Sequence, residues 1–154
     1  MDIWETIKKR HSVRSFNPNK DVPQELIEKI IEAANCAPSA GGIYPTNFVM
    51  VRDQEMKIRL GEAALAQMFI AEAPVVIVVV ADLEKTASRY GERGRNLYAI
   101  QDAAAATENL LLAATALNLG TCWVGAFSEE EVSQILKLKK SQRPLAIIPV
   151  GYEL

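Results

Sequence analysis

One stretch constrains this chain more than any other: Asn96–Phe127, reading NLYAIQDAAAATENLLLAATALNLGTCWVGAF. Ala103–Ala106, Leu110–Ala114, Ala116 and Leu117 are apolar, and neither Pro nor Gly interrupts before Gly120. Ala and Leu are the strongest helix formers, so propensity and pattern together predict one long helix over 96–119. Its apolar side chains occupy nearly the whole circumference, the mark of a helix buried on most sides. At the α-helical rise it would run more than about 30 Å, too far for a small domain to cover on every face. A second copy of the chain is therefore expected over part of it. Gly120 reads as the helix stop. TCWVGAF reads as a short buried strand ending at Gly125, where the missing side chain would let a backbone or ligand approach closely.

The rest of the chain has to supply a layer for that helix to lie on. At 154 residues the prior is a single domain over 1–154 with a real core. Pro74 opens PVVIVVVA, a β-branched run without alternation, hence a strand buried on both faces. NFVMV (47–51) and LAIIPVGY (145–152) read as further strands. Helices are predicted over 2–9, from Pro23 to about Asn35, over 53–67, and from Ser128 to about Leu138. The last opens on a capping box of Ser128 and Glu131. Residues 83–96, LEKTASRYGERGRN, are polar with two glycines and read as a lid or a surface loop. Strands alternating with helices indicate a layered α/β or α+β domain.

Charge and cysteine content narrow the class of function. A formal net charge of −2 argues against a general nucleic-acid surface. No apolar run is long enough to span a bilayer, and the charged amphipathic start Met1–Lys9 does not read as a secretory leader. A cytoplasmic protein is the default expectation. Cys36 and Cys122 sit among apolar neighbours and read as buried, reduced thiols. With His11 the single histidine, neither a metal site nor a Ser-His or Cys-His nucleophile is supported. Chemistry, if there is any, then falls to a cofactor.

Two segments could hold one. Arg10-His11-Ser12-Val13-Arg14-Ser15-Phe16 packs two guanidiniums, an imidazole and two hydroxyls beside a helix end. That donor set suits a phosphate monoester, although a solvated basic helix terminus explains the spacing equally well. Cys36–Pro45 is rich in Pro, Gly and Ser, a connector whose small residues would also let backbone amides lie against a flat or anionic ligand.

Taken in order and spacing, three pieces resemble the flavin-dependent nitroreductase family: 10–16, then Ala37-Pro38-Ser39-Ala40-Gly41 with Pro45, then Gly120-Thr-Cys-Trp-Val-Gly125. The resemblance implies an α+β fold, a central sheet flanked by helices, in an intertwined homodimer with two FMN sites at the interface. It also implies electron transfer from NADH or NADPH through FMN to a nitro compound, a quinone or a related small acceptor, in a ping-pong cycle. Carried over by residue, Arg10, Ser12 and Arg14 would meet the FMN phosphate, ribityl chain and pyrimidine edge, with His11 close by. Pro38, Ser39 and Ala40 of the other subunit would line the isoalloxazine. The backbone of Trp123, Val124 and Gly125 would face flavin N5, where a donated N–H stabilises charge on the reduced ring. Gln67 is a weaker candidate for the flavin carbonyl edge.

This chain departs from the family pattern at two places. Gly42 stands where relatives usually carry Asn, which removes one polar contact to the flavin or leaves it to Tyr44. The sequence ends at Gly151-Tyr152-Glu153-Leu154, where relatives usually continue with a Lys or Arg for the phosphate, so Arg10 and Arg14 would hold it alone. The competing expectation is a flavin-binding or flavin-storage protein of the same fold without a competent substrate pocket, and beyond it a dimeric scaffold with an empty site.

Overall fold

The structure, a computed structural model, describes all 154 residues. It is built on the valine-rich run, which forms β2 (Val75–Asp82). Successive side chains of a strand point to opposite faces, so the absence of alternation means that both faces are covered. Val75, Ile77, Val79 and Ala81 join one core cluster, and Val76, Val78 and Val80 join another. β1 (Thr46–Val51) and β4 (Gln142–Gly151) flank β2, and the short β3 (Gly120–Thr121) pairs with the far side of β4. Every pairing is antiparallel. The first cluster packs α2 (Gln24–Asn35) and α6 (Ala99–Ala116) on one face. The second packs α3 (Gln54–Ala63), α4 (Phe69–Glu72) and α7 (Glu129–Leu136) on the other. This is the α+β architecture with helices on both faces of a central sheet. No helix is long and apolar enough to cross a membrane.

The long helix is shorter than its composition predicts. α6 has 18 residues, about 27 Å, and is preceded by a wider turn over Gly94–Tyr98. It stops before Gly120. Asn118 takes the left-handed conformation (φ 58°) and donates its N–H to Thr115 O, while Leu119 N–H reaches Ala114 O at 2.8 Å. That is the paired-carbonyl helix ending usually built on glycine, here carried by asparagine. Gly120 answers a different need: a Cβ there would stand 2.9 Å from Val13 Cγ2. Its bareness admits the 10–16 segment against the sheet.

Other expectations need correction. Residues 83–96 are not a loop: Leu83–Arg93 form α5, capped by Asp82 accepting from Lys85 N–H. Its charged character reflects one wet face, with Thr86 buried on the other and Arg95 bridging Glu84 and Glu92 along it. The helix over 53–67 ends at Ala63, because Leu65 and Ala66 adopt positive φ and turn the chain into α4. Only half of the capping box at Ser128 forms, since the Ser128 N–H donates to Ala63 O instead of to Glu131. Past Thr121 the expected strand survives as a single bridge between Val124 and Ile147. Cys122 is buried, but Cys36, at the end of α2, is exposed.

One helix faces the wrong way for a finished surface. α1 (Ile3–Lys9) opens on a reciprocal capping box of Asp2 and Glu5, yet only Thr6 of it is buried. Ile3 is 59% and Trp4 71% exposed. With Met1, Ala33, Leu112 and Ala116, Ile3 walls an open apolar groove of about 480 Å³ along the outer side of α6.

Candidate functional site

The cationic segment leaves α1 at Arg10 and runs as an extended edge beside β3. Val13 N–H donates to Thr121 O at 2.9 Å, and Ser12 is paired with Thr121 in parallel. Further on, Phe16 is bridged to Glu153, and Asn17 N–H donates to Tyr152 O at 2.8 Å. Val13 and Phe16 are buried and anchor the segment, while Ser12, Arg14 and Ser15 remain exposed. The apolar residues thus fix the backbone and the polar ones are held outward.

The charges there are unequally spoken for. Arg10 Nε lies 3.7 Å from Glu108, a loose pair. Arg14 has no carboxylate partner, and the Ser12 hydroxyl makes no hydrogen bond within the chain. His11 sits between the Lys9 carbonyl (Nδ1, 2.9 Å) and Glu153 (Nε2, 3.0 Å). The carbonyl, then the Glu153 carboxylate, raise its pKa above the ordinary histidine value, against smaller opposing effects of desolvation and then of Arg10. A pocket of about 140 Å³ opens here, lined by Lys9, His11, Thr115, Asn118 and Glu153. The unpaired Arg14 guanidinium and Ser12 hydroxyl are donors of the kind that suit a phosphate group.

Two residues beyond Thr121 the chain turns through Trp123–Gly125. Val124 donates to and accepts from Ile147, both at 3.0 Å, so its N–H is already used. The N–H groups of Trp123 and Gly125 have no partner within the chain. A Cβ on Gly125 would meet only the Trp123 indole, at 3.9 Å, which leaves that side of the turn open. Gln67 belongs with this turn: its Nε2 donates to Ala64 O at 2.8 Å and to Ala126 O at 3.3 Å. A single chain therefore brings Arg10, His11, Ser12 and Arg14 to the same edge of the sheet as Trp123–Gly125 and Gln67.

Pro38, Ser39 and Ala40 are elsewhere, at the opposite end of α6. Ser39 Oγ donates to Asp102 Oδ2 at 2.7 Å, the Ala40 N–H reaches the same carboxylate at 3.2 Å, and Tyr44 N–H donates to Ser39 Oγ at 2.9 Å. The fifteen residues of α6 from Asp102 to Ala116 span about 21 Å, which separates the 38–40 loop from the Ser12–Thr121 pairing within one chain. Asp102 is the residue that sequence reasoning missed. Its signal was present: a carboxylate set directly before the four alanines of a buried helix must have donors aimed at it.

Comparison with known proteins gives a consistent answer. A profile of the nitroreductase family matches residues 7–72 and 63–152. An NADH dehydrogenase of Thermus thermophilus is 34% identical over 99% of this chain and 87% of its own. The crystal structure of a nitroreductase family protein from Clostridium novyi NT superposes with a TM-score of 0.91 at 30% identity, covering 100% of this chain and 86% of that one. An FMN-dependent nitroreductase from Clostridium difficile R20291 gives a TM-score of 0.84 at 29% identity, covering 97% and 87% respectively.

Proposed function

The chain belongs to the nitroreductase family of NAD(P)H-dependent oxidoreductases, and we propose that it reduces nitro compounds, quinones or related acceptors through FMN held between two copies. The observation that carries this reading is the pairing of Ser12 and Val13 with Thr121. It sets unpaired phosphate donors and unpaired backbone N–H groups on one edge. When bound, FMN supplies two-electron carriage from NAD(P)H to a second substrate, the basis of a ping-pong cycle.

The chain's own residues have defined tasks in this scheme. Arg14 and Ser12, free of partners, bind the phosphate and ribityl end, with Arg10 released from its loose contact to Glu108. The N–H groups of Trp123 and Gly125 are the donors available to stabilise negative charge developing on a ring laid against the turn. Gln67 holds that turn in place through Ala126. Asp102 braces the 38–42 loop, so that its small residues present a firm wall rather than a flexible one.

Assembly as a homodimer is part of the proposal. The 38–40 loop and the 10–14 corner lie at opposite ends of α6, so a site that uses both needs two chains. The apolar groove and the outward Ile3, Trp4 and Ile7 supply a surface to bury in a partner.

The test is direct. The purified protein should carry a yellow chromophore that chromatography identifies as FMN, and it should consume NADH or NADPH in the presence of a quinone. A colourless protein that fails to take up added FMN would end this reading. One that binds FMN but consumes no NAD(P)H would favour a flavin-storage role.

A further inference from the structure

α5 carries a cationic ridge that the flavin chemistry does not account for. Lys85 and Arg89, four residues apart, share one face of the helix, and Arg93 follows beyond the kink that Gly91 makes at φ 59°. None is paired with a carboxylate, because both acidic residues within α5, Glu84 and Glu92, are taken by Arg95. Each of the three is held by a neutral group instead. Lys85 Nζ donates to Tyr44 O at 3.1 Å, Arg89 Nη1 to Gly41 O at 3.2 Å, and Arg93 Nε to the Tyr98 hydroxyl at 2.9 Å. The guanidiniums of Arg89 and Arg93 also lie 5.3 Å from the ring centres of Tyr90 and Tyr98, within cation–π range. Those two rings meet edge to face at 5.2 Å.

A hollow of about 420 Å³ lies among the elements that these cations hold. Pro38, Ser39 and Ala40 form one wall, and Tyr98, Gln101 and Ala105 the other. Arg89 is fastened to the loop of the first wall, so closely that a Cβ on Gly41 would lie 2.7 Å from its Nη1. Arg93 is fastened to Tyr98 of the second wall. The only carboxylate lining the hollow, that of Asp102, is engaged by Ser39 and Ala40. Positive charge is thus tied by neutral partners to the residue next to Ala40 and to Tyr98, beside aromatic and small-residue walls.

We propose that Arg89 and Arg93, with Lys85 behind them, select ligands that carry an anionic group close to a planar ring. This rests on the flavin-site reading, because the hollow is walled by the loop assigned there to the ring. A ping-pong site receives its two substrates in turn, so the anion has two possible sources: the extra phosphate that distinguishes NADPH from NADH, or a carboxylate or sulfonate on the acceptor. A solvated charged face would hold its cations in carboxylate pairs or leave them loose; here they are preorganised, which lowers the cost of binding.

The experiment compares selectivity ratios in the FMN-loaded protein and in Arg89→Gln/Arg93→Gln. One ratio is kcat/KM for NADPH over NADH. The other is kcat/KM for 1,2-naphthoquinone-4-sulfonate over 1,2-naphthoquinone. Ratios cancel differences in active fraction, and the single variants are read in the same way should the double variant not fold. At least one ratio should fall about tenfold, through KM and less steeply at high salt, as expected for lost charge-assisted contacts. Which ratio falls identifies the source of the anion. Both ratios within twofold of the parent would overturn the proposal. Failure of the flavin-site reading is seen separately, as absence of NAD(P)H consumption in the parent protein.

Discussion

Ser39 Oγ and Asp102 Oδ2 lie 2.7 Å apart across 63 positions of sequence, and this bond fixes the small-residue loop to the first turns of the central helix. The same carboxylate receives the Ala40 N–H. Asp102→Ala would leave two donors without an acceptor and should destabilise the fold by about 2–3 kcal/mol. Asp102→Asn keeps an acceptor for Ser39 but loses the charge, and should cost about half as much. Urea denaturation checks both, and an alanine variant as stable as the parent would show that the brace contributes nothing.

Arg14 is exposed and unpaired, so its removal disturbs no internal contact. Arg14→Ala should weaken FMN binding about ten- to a hundredfold, the equivalent of one charge-assisted contact to phosphate, while the fold and assembly stay intact. Fluorescence titration of the flavin measures this. Equal affinity in the variant would remove Arg14 from the phosphate site.

His11 provides a pH-dependent reading of the same corner. Its folded pKa is raised by the Lys9 carbonyl and then by Glu153, so the folded protein keeps this proton to higher pH than an unfolded chain. The linked stabilisation is fully present below the unfolded histidine value and is lost as pH rises through the folded one. The ring is exposed, so the effect on stability is small and screened by salt. NMR titration of flavin-free protein is unambiguous because there is one histidine. Glu153→Gln should lower the midpoint, and an unchanged midpoint would mean that the 3.0 Å contact is not populated in solution.

Leu112 lines the open apolar groove beside Ile3 and Ala116. If a second copy covers it, the interface is of the obligate kind, which buries roughly 2,000–5,000 Å² and leaves no stable folded monomer. Leu112→Glu should then lose dimer and flavin together. Sedimentation at low micromolar concentration decides the matter: a parent protein that runs as a folded monomer with one FMN would exclude the shared site.

The sequence by itself determined the layers. PVVIVVVA required a strand with both faces covered, and the Ala- and Leu-rich run required a helix against one of them, because burial of apolar surface depends on composition and period alone. The order of the cationic segment, the Pro-Ser-Ala loop and the glycine-bounded turn was equally legible. Tertiary structure decided what those patterns leave open. Asn118 rather than Gly120 ends the helix, since the carbonyls need a left-handed residue at one position and Gly120 is needed two residues later to admit Val13. Residues 83–93 form a helix because Thr86 finds a buried place and Asp82 a cap, whereas their polarity alone resembled a loop. Asp102 acquires its meaning only when folding brings Ser39 and Ala40 to it, because a hydrogen bond across that many residues depends on which elements pack together.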